Sequence, residues 1–395
     1  MKLLIASDSY KYQTSGVANV VITLAEELRK RGHSVKVLAL SNTKKSFRDG
    51  DDYYIGSLPG LVYPDVRFSL VHRNRLLKEL RDWKPDVIHM HTETSAARMA
   101  RYIASADHTP FVMTSHTDYA QFLFGHFSDS KPVRLLSREL GRIVYRGAMV
   151  VTVPSEKAMS FSFLSTLTRR VEVIPNGIRL EQYQKQSTPE ERAELFERWK
   201  LEDNGRTIVI VSRVSHEKNL MEILEYFPAV LERLPDVQLL VVGDGPERSR
   251  LETYARDAGI SDRVRFTGRI PPDKVYQYYG MGDVFVSAST FEVHSLTYLE
   301  AISRGLPIIC RDDPCLRGVL EHGENGYAYH TKEEFVDYVV SVLTDRELHD
   351  RMSTRSRDIS ENFSAERCAD RMIELYRSVL ESQGEAREGK AAGSP

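Results

Sequence analysis

Cysteine is scarce: Cys310, Cys315 and Cys368 are the only three in 395 residues. Their spacing suits neither a disulfide framework nor a thiolate metal site, so reduced thiols and a cytoplasmic setting are expected. No uninterrupted apolar run approaches the roughly 18 residues of a membrane-spanning helix. The opening Met1 to Ser7 reads as a first strand, too soon polar for a signal peptide. No Gly-x-Gly-x-x-Gly follows that strand, which disfavours a dinucleotide oxidoreductase. No Asp-x-Asp stands at a strand end, so no required metal is expected. Net charge is also small, −2, but unevenly divided. Residues 1–185 hold 27 Lys and Arg against 18 Asp and Glu, a net +9; the remainder holds 27 against 38, a net −11. A basic first half points to an anionic partner, and a membrane surface fits better than nucleic acid, for which no motif is present.

What is present suits two cores rather than one. Apolar residues make up 41% and charged residues 28% of a long chain, an ordinary globular balance. Short β-branched runs alternate with helical periodicity, as in open parallel α/β sheets. Residues 2–8, 35–40, 86–91, 111–117, 149–156 and 171–178 supply such runs in the first half. Residues 207–213, 237–242, 264–270, 283–288 and 308–310 supply them in the second.

The most informative stretch is TFEVHSLTYLEAISRGLP, residues 290–307. It follows a strand and runs into a helix stopped at Gly305-Leu306-Pro307. Glu292 falls in the turn and Glu300 about two turns along the helix. The opening N–H groups of Ser295, Leu296 and Thr297, with the Thr297 hydroxyl, make an anion-ready helix end. Carboxylates bind vicinal hydroxyls and repel phosphate, so this pattern suits a ligand that is part sugar and part phosphate. Upstream, Arg213 and Lys218 in SRVSHEKN flank another strand-to-helix turn, where two cations can clamp a diphosphate. In the first half, Tyr12 to Val17 outlines a phosphate-approach loop at Gly16, though a plain turn would read the same. His116 follows its strand at the carboxyl edge, where such sheets keep their ligands, while His89 and His91 read as packing or supporting groups.

Glu292 and Glu300 at this spacing resemble the Glu-x7-Glu signature of retaining glycosyltransferase family 4. The Ile174-Pro175-Asn176-Gly177-Ile178 boundary, the Gly243-Asp244-Gly245-Pro246 turn and the turn at residues 321–326 resemble that family too. The resemblance implies an α/β GT-B fold, two Rossmann-like doubly wound parallel-sheet domains facing a central cleft. It implies an N-terminal acceptor domain over residues 1–180, a linker with entry helix at 181–205, and a nucleotide-sugar domain at 206–362. A last helix at 363–384 would cross back to the first domain, with a flexible tail at 385–395. By the same resemblance Glu292 holds the donor sugar, Glu300 the ribose and the backbone around Gly268 and Ile270 the base. Arg213 and Lys218 would carry the leaving diphosphate, and His116 would contact the sugar and face the acceptor. Two departures stand out: Ser15-Gly16 replaces the usual Gly-Gly pair, and Glu292-Val293-His294-Ser295 replaces Glu-Gly-Phe-Pro. The continuation Leu296-Thr297-Tyr298-Leu299-Glu300-Ala301 is similar to bacterial glycosyltransferases that put glucose on diacylglycerol.

The implied reaction is hexosyl transfer with retention from a nucleotide-diphospho-sugar, UDP-glucose by default, with the leaving phosphate taking the acceptor proton. No cofactor is required in this picture, although Mg²⁺ could help nucleotide binding or release. Phe122, Phe124 and Phe127 lie beside Arg134, Arg138, Arg142 and Arg146, which recur every fourth residue on one helical face. Aromatics beside a basic stripe suit a peripheral membrane element or the mouth of a lipid-acceptor groove; a core-packed aromatic turn with a solvated helix face is the plainer alternative. Three rivals remain: the same enzyme class acting on a soluble sugar or polysaccharide intermediate, a sugar-nucleotide epimerase, and a non-catalytic nucleotide-sugar binder.

Overall fold

Each half of the chain forms its own sheet from those β-branched runs. The computed structural model describes the chain apart from residues 14, 61–66, 72, 119–129, 162–163, 165–169 and 393–395, and gives backbone alone for 386–392. Two compact units result, Met1–Gly177 with Ala365–Pro395, and Ile178–Ser364.

In the first unit the strands are β1 (Lys2–Ser7), β2 (Ser34–Leu40), β3 (Phe47–Asp49) and β4 (Asp52–Ile55), then the short pair β5 (Leu58–Pro59) and β6 (Arg67–Phe68). β7 (Val87–Met90), β8 (Phe111–Thr114), β9 (Val150–Val153) and β10 (Arg170–Val173) follow. Their order is β10-β9-β8-β7-β1-β2-β4-β3, parallel except for β3 against β4. The order reverses between β1 and β7, so loops after those strands diverge and leave a crevice. The closing helix Ala365–Ala392 belongs to this unit: Ala369, Met372, Tyr376 and Val379 are buried in one cluster with Leu3, Val35 and Leu24. It runs to Ala392, into the stretch 385–395 expected to be tail. Ala, Glu, Arg and Lys there are good helix formers, and polarity on every face does not itself stop a helix.

In the second unit β11 (Thr207–Val211), β12 (Gln238–Val242), β13 (Val264–Phe266), β14 (Val284–Ser287), β15 (Ile308–Arg311) and β16 (Gly326–Tyr329) form an all-parallel sheet in the order β13-β12-β11-β14-β15-β16. Here the order reverses between β11 and β14. Both faces are covered, and the central strands are accordingly apolar along their length. Residues 181–205, read from sequence as linker and entry helix, are part of this unit. Leu180, Tyr183, Leu195 and Phe196, on helices Leu180–Gln184 and Pro189–Trp199, are buried in its core. Their scatter among polar residues hid that face. At Gly243 a side chain would come within 1.9 Å of the Ser212 carbonyl oxygen, so only glycine lets β11 and β12 end this close together.

Candidate functional site

A small pocket opens in the second unit at the carboxyl ends of β11 and β14, where the strand order reverses. Val211 and Ser212 line it from β11, Ser287 and Ala288 from β14, with Lys218, Glu292 and Thr297 at its polar side. Doubly wound sheets hold ligands at this place.

Local structure explains how each group arrives. Asn219 in the left-handed conformation (φ 52°) ends the His216–Lys218 turn and starts helix Leu220–Arg233, bringing Lys218 back toward β14. Lys218 Nζ donates to Glu292 Oε1. Their side chains are 23% and 15% exposed, so the pair is largely withdrawn from water. Glu292 lies in the turn between β14 and helix Leu296–Arg304, whose N-cap is Ser295. The Ser295 side chain does not cap that helix; its hydroxyl bonds the Thr297 hydroxyl at 3.0 Å. Tyr298, buried one residue on, bonds Ser287 at 2.9 Å and ties the helix to β14.

The other expected donor residues do not line this pocket. Arg213 is exposed just beyond β11. Gly268 (φ 73°) uses its carbonyl to accept the Gly243 N–H at 3.1 Å. Ile270 and Leu296 pack against the apolar core. Gly16 opens helix Gly16–Lys30 in the first unit, with Ser15 capping the Ala18 N–H. Among the described residues, no group of three or more His, Cys, Asp or Glu could hold a metal ion.

Glu300 is the chief surprise. It does not line the pocket: it is 7% exposed. Tyr183 donates its hydroxyl to Oε1 at 2.8 Å and Tyr279 to Oε2 at 2.7 Å. Neither tyrosine was legible as a partner, since Tyr183 is 117 residues away in the chain. Burial outweighs those two donors and pushes the Glu300 carboxyl up to about 7, against 4.5 for an ordinary glutamate. Between those values the folded chain binds a proton that the unfolded chain has lost, so the fold loses stability as pH rises through that window. Glu300→Gln cannot ionise, yet can still engage both hydroxyls. Its stability relative to the parent should therefore improve by about 2 kcal/mol between about pH 5.5 and about pH 8. Urea unfolding of both proteins at the two pH values measures this. A difference that stays constant would mean Glu300 does not titrate there.

In the first unit, His116 lies two residues past β8 and is half-buried. His91 follows β7, and its Nδ1 lies 3.0 Å from His116 Nε2. Arg134, Arg138 and Arg142 stand exposed on helix Lys131–Val144, with Arg146 just beyond. Sequence reading missed this helix's apolar face. Leu135, Leu136, Leu140 and Ile143 are 61%, 48%, 44% and 70% exposed, while Ser137 and Gly141 are the buried positions. A helical wheel of residues 131–144 would have found it. Phe122, Phe124 and Phe127 lie outside the described residues. No helix among the described residues is long and apolar enough to cross a membrane.

Comparison with known proteins agrees with this architecture. Residues 14–182 match the Glycosyltransferase Family 4 model and residues 191–359 the Glycosyl transferases group 1 model. The chain is 31% identical over 351 residues to the alpha-monoglucosyldiacylglycerol synthase of Streptococcus pneumoniae, covering 87% of this chain and 78% of that protein. It is 27% identical over 392 residues to the enzyme of the same name from Acholeplasma laidlawii, covering 96% and 98%. Among solved structures, Anabaena HepE in complex with UDP-glucose superimposes with a TM-score of 0.74 at 18% identity, over 96% of this chain and all of that one. Sheets of this order and sequence matches of this length have one reading: the chain belongs to glycosyltransferase family 4 and is a glycosyltransferase of GT-B fold.

Proposed function

We propose that the protein moves a hexose, glucose first among them, from a nucleoside-diphosphate sugar such as UDP-glucose to a hydroxyl of a membrane lipid of the 1,2-diacylglycerol kind, with retention at the anomeric carbon. The inverted helix Lys131–Val144 carries the lipid part of this reading. It buries Ser137 and Gly141 and turns Leu135, Leu136, Leu140 and Ile143 to solvent beside a row of arginines. A soluble acceptor gives no reason for that arrangement, whereas an anionic bilayer takes both halves of it. The names of the pneumococcal and Acholeplasma relatives point the same way.

The bond between the anomeric carbon and the β-phosphate oxygen breaks as the acceptor oxygen bonds that carbon on the same face. The acceptor proton goes to the departing phosphate. Lys218 and the amides opening helix Leu296–Arg304 stabilise the developing charge on the diphosphate. Glu292 takes hydroxyls of the hexose, and its bond to Lys218 holds both groups in place until a donor separates them. Glu300 keeps the ribose role: two tyrosines fix its carboxylate and use two of its roughly four lone-pair positions. Arg213 adds charge from the rim. His116 belongs to the acceptor side.

A turnover screen tests this reading. UDP-glucose, UDP-galactose, UDP-N-acetylglucosamine and GDP-mannose are each offered with diacylglycerol in anionic vesicles, or with no acceptor. Nucleotide release that needs the lipid, fastest with UDP-glucose and accompanied by an α-linked glycolipid, is the expected result. Release indifferent to lipid would overturn the acceptor assignment, and donor conversion without any acceptor would favour an epimerase.

A further inference from the structure

Lys218 is bracketed in the chain by two residues tied to other strand ends. Before it, the Glu217 carbonyl accepts the hydroxyl of Ser289, buried just past β14, at 3.2 Å. After it, Asn219 holds φ 52° and ψ 37°, a left-handed conformation that only glycine enters freely. An asparagine that opens a helix ordinarily turns its side chain back to cap an N–H two or three residues on. Asn219 does not: its side chain caps nothing, and its amide nitrogen donates to Glu222 Oε2 at 2.9 Å. The other oxygen of Glu222, Oε1, accepts from Arg311 at 2.8 Å and from the Tyr329 hydroxyl at 2.9 Å. Arg311 and Tyr329 are paired residues that close β15 and β16. Glu222, with its side chain 14% exposed, is thus held by two strand ends and holds Asn219 in turn.

We infer that Glu222 is a positioning residue for Lys218: by holding the Asn219 amide it keeps the backbone after Lys218 left-handed and so aims the ammonium at the leaving diphosphate. This rests on the assignment of Lys218 to that diphosphate. Glu222 does not itself line the pocket, whereas Lys218, Leu220 and Ile223 do, so its effect on the reaction passes through the backbone it holds. The competing state is the ordinary one for a helix-opening asparagine, extended and capping with its own side chain. Turning Asn219 from the left-handed to the extended region swings the chain on its N-terminal side, and Lys218 is the first residue there. The amide cannot serve the cap and Glu222 together, so the bond to Glu222 selects the left-handed state. A carboxylate suits the task because its two oxygens accept from all three donors at once.

Glycine at position 219 separates this role from ordinary packing, because glycine stays left-handed without help. Glu222→Ala should lower kcat roughly 10- to 100-fold, the cost of misplacing a reacting group by about 1 Å. Adding Asn219→Gly to that variant should bring kcat back to within about threefold of the parent, although Arg311 and Tyr329 remain without their acceptor. A glutamate that served only packing would predict a loss that glycine leaves in place. Asn219→Ala guards against a folding defect, since it spares the bonds of Glu222 to Arg311 and Tyr329; it should lose kcat by the same roughly 10- to 100-fold. In a Lys218→Ala background, Glu222→Ala should cost less than about twofold more, because its effect runs through the lysine. Full kcat in Asn219→Ala or in folded Glu222→Ala, no recovery with glycine, or losses that multiply in the Lys218→Ala background would each overturn the inference. Full kcat in Lys218→Ala would instead sink the diphosphate assignment of Lys218 on which it rests.

Discussion

Lys218→Ala is expected to lower kcat roughly 10²- to 10³-fold, the usual cost of losing one donor aimed at charge that develops in the transition state. Lys218 is the cation that the pocket at the ends of β11 and β14 contains, and it shares that place with Glu292 and the opening turn of helix Leu296–Arg304. Arg213 cannot replace it from an exposed position beyond β11; Arg213→Ala should cost about tenfold. The direction of the kinetic change is diagnostic. If Lys218 acts on the leaving diphosphate, kcat and kcat/KM fall together; if it only binds the donor, KM rises with kcat preserved. Lys218→Arg should recover a fraction, since the charge returns in a planar fork of different reach. Losing the lysine also leaves Glu292 without its partner at a site 15% exposed, so a thermal melt must accompany the kinetics. A folded Lys218→Ala protein with kcat within about threefold of the parent would remove Lys218 from the chemistry.

Much of this was legible in the chain because neighbouring residues dictate it. Each β-branched run followed by a cap or turn became a parallel strand, and the turn that carries Glu292 could be placed from the strand before it and the helix after it. Positions decided by distant partners were not legible. The place of Glu300 on its helix is legible from its spacing to Glu292, but the two tyrosines that hold its carboxyl, Tyr183 and Tyr279, are not. The turn of Gly268 and Ile270 is legible as a turn, but not that the Gly268 carbonyl bonds Gly243 or that the Ile270 side chain packs against the core. The short strands β3 and β4 at the sheet edge offer too few residues for a period to show. Helix Lys131–Val144 taught a different lesson. Its four-residue arginine spacing and the leucines between are legible in the sequence, but only exposure shows that the apolar side faces out.

Vesicle binding should depend on those two faces in separable ways. Replacing Arg134, Arg138 and Arg142 with serine removes three charges, each worth about 1 kcal/mol near an anionic surface, so partitioning onto anionic vesicles should fall roughly 100-fold. Binding to zwitterionic vesicles, weak already, should barely move. Added salt should reproduce the loss in the parent protein, since charges farther apart than about 8–10 Å are screened at physiological ionic strength. Replacing Leu135, Leu136, Leu140 and Ile143 with serine acts on the other face. These side chains are 44% to 70% exposed, so their removal takes little from the protein's own core. Inserting a large apolar side chain contributes about 1.5–3 kcal/mol at full burial, and four half-inserted ones should together contribute more than the arginines. The apolar variant should therefore lose binding to both kinds of vesicle and do so at any salt concentration. It should also keep the parent's melting temperature and its affinity for UDP. Turnover on lipid acceptor should fall in step with vesicle binding, while slow hydrolysis of the donor by water should persist. Unchanged vesicle binding in both variants would leave the inverted helix without a membrane role and shift the acceptor toward a soluble sugar. Loss of donor hydrolysis alongside lipid turnover would show that the helix matters to the fold of the site rather than to the bilayer.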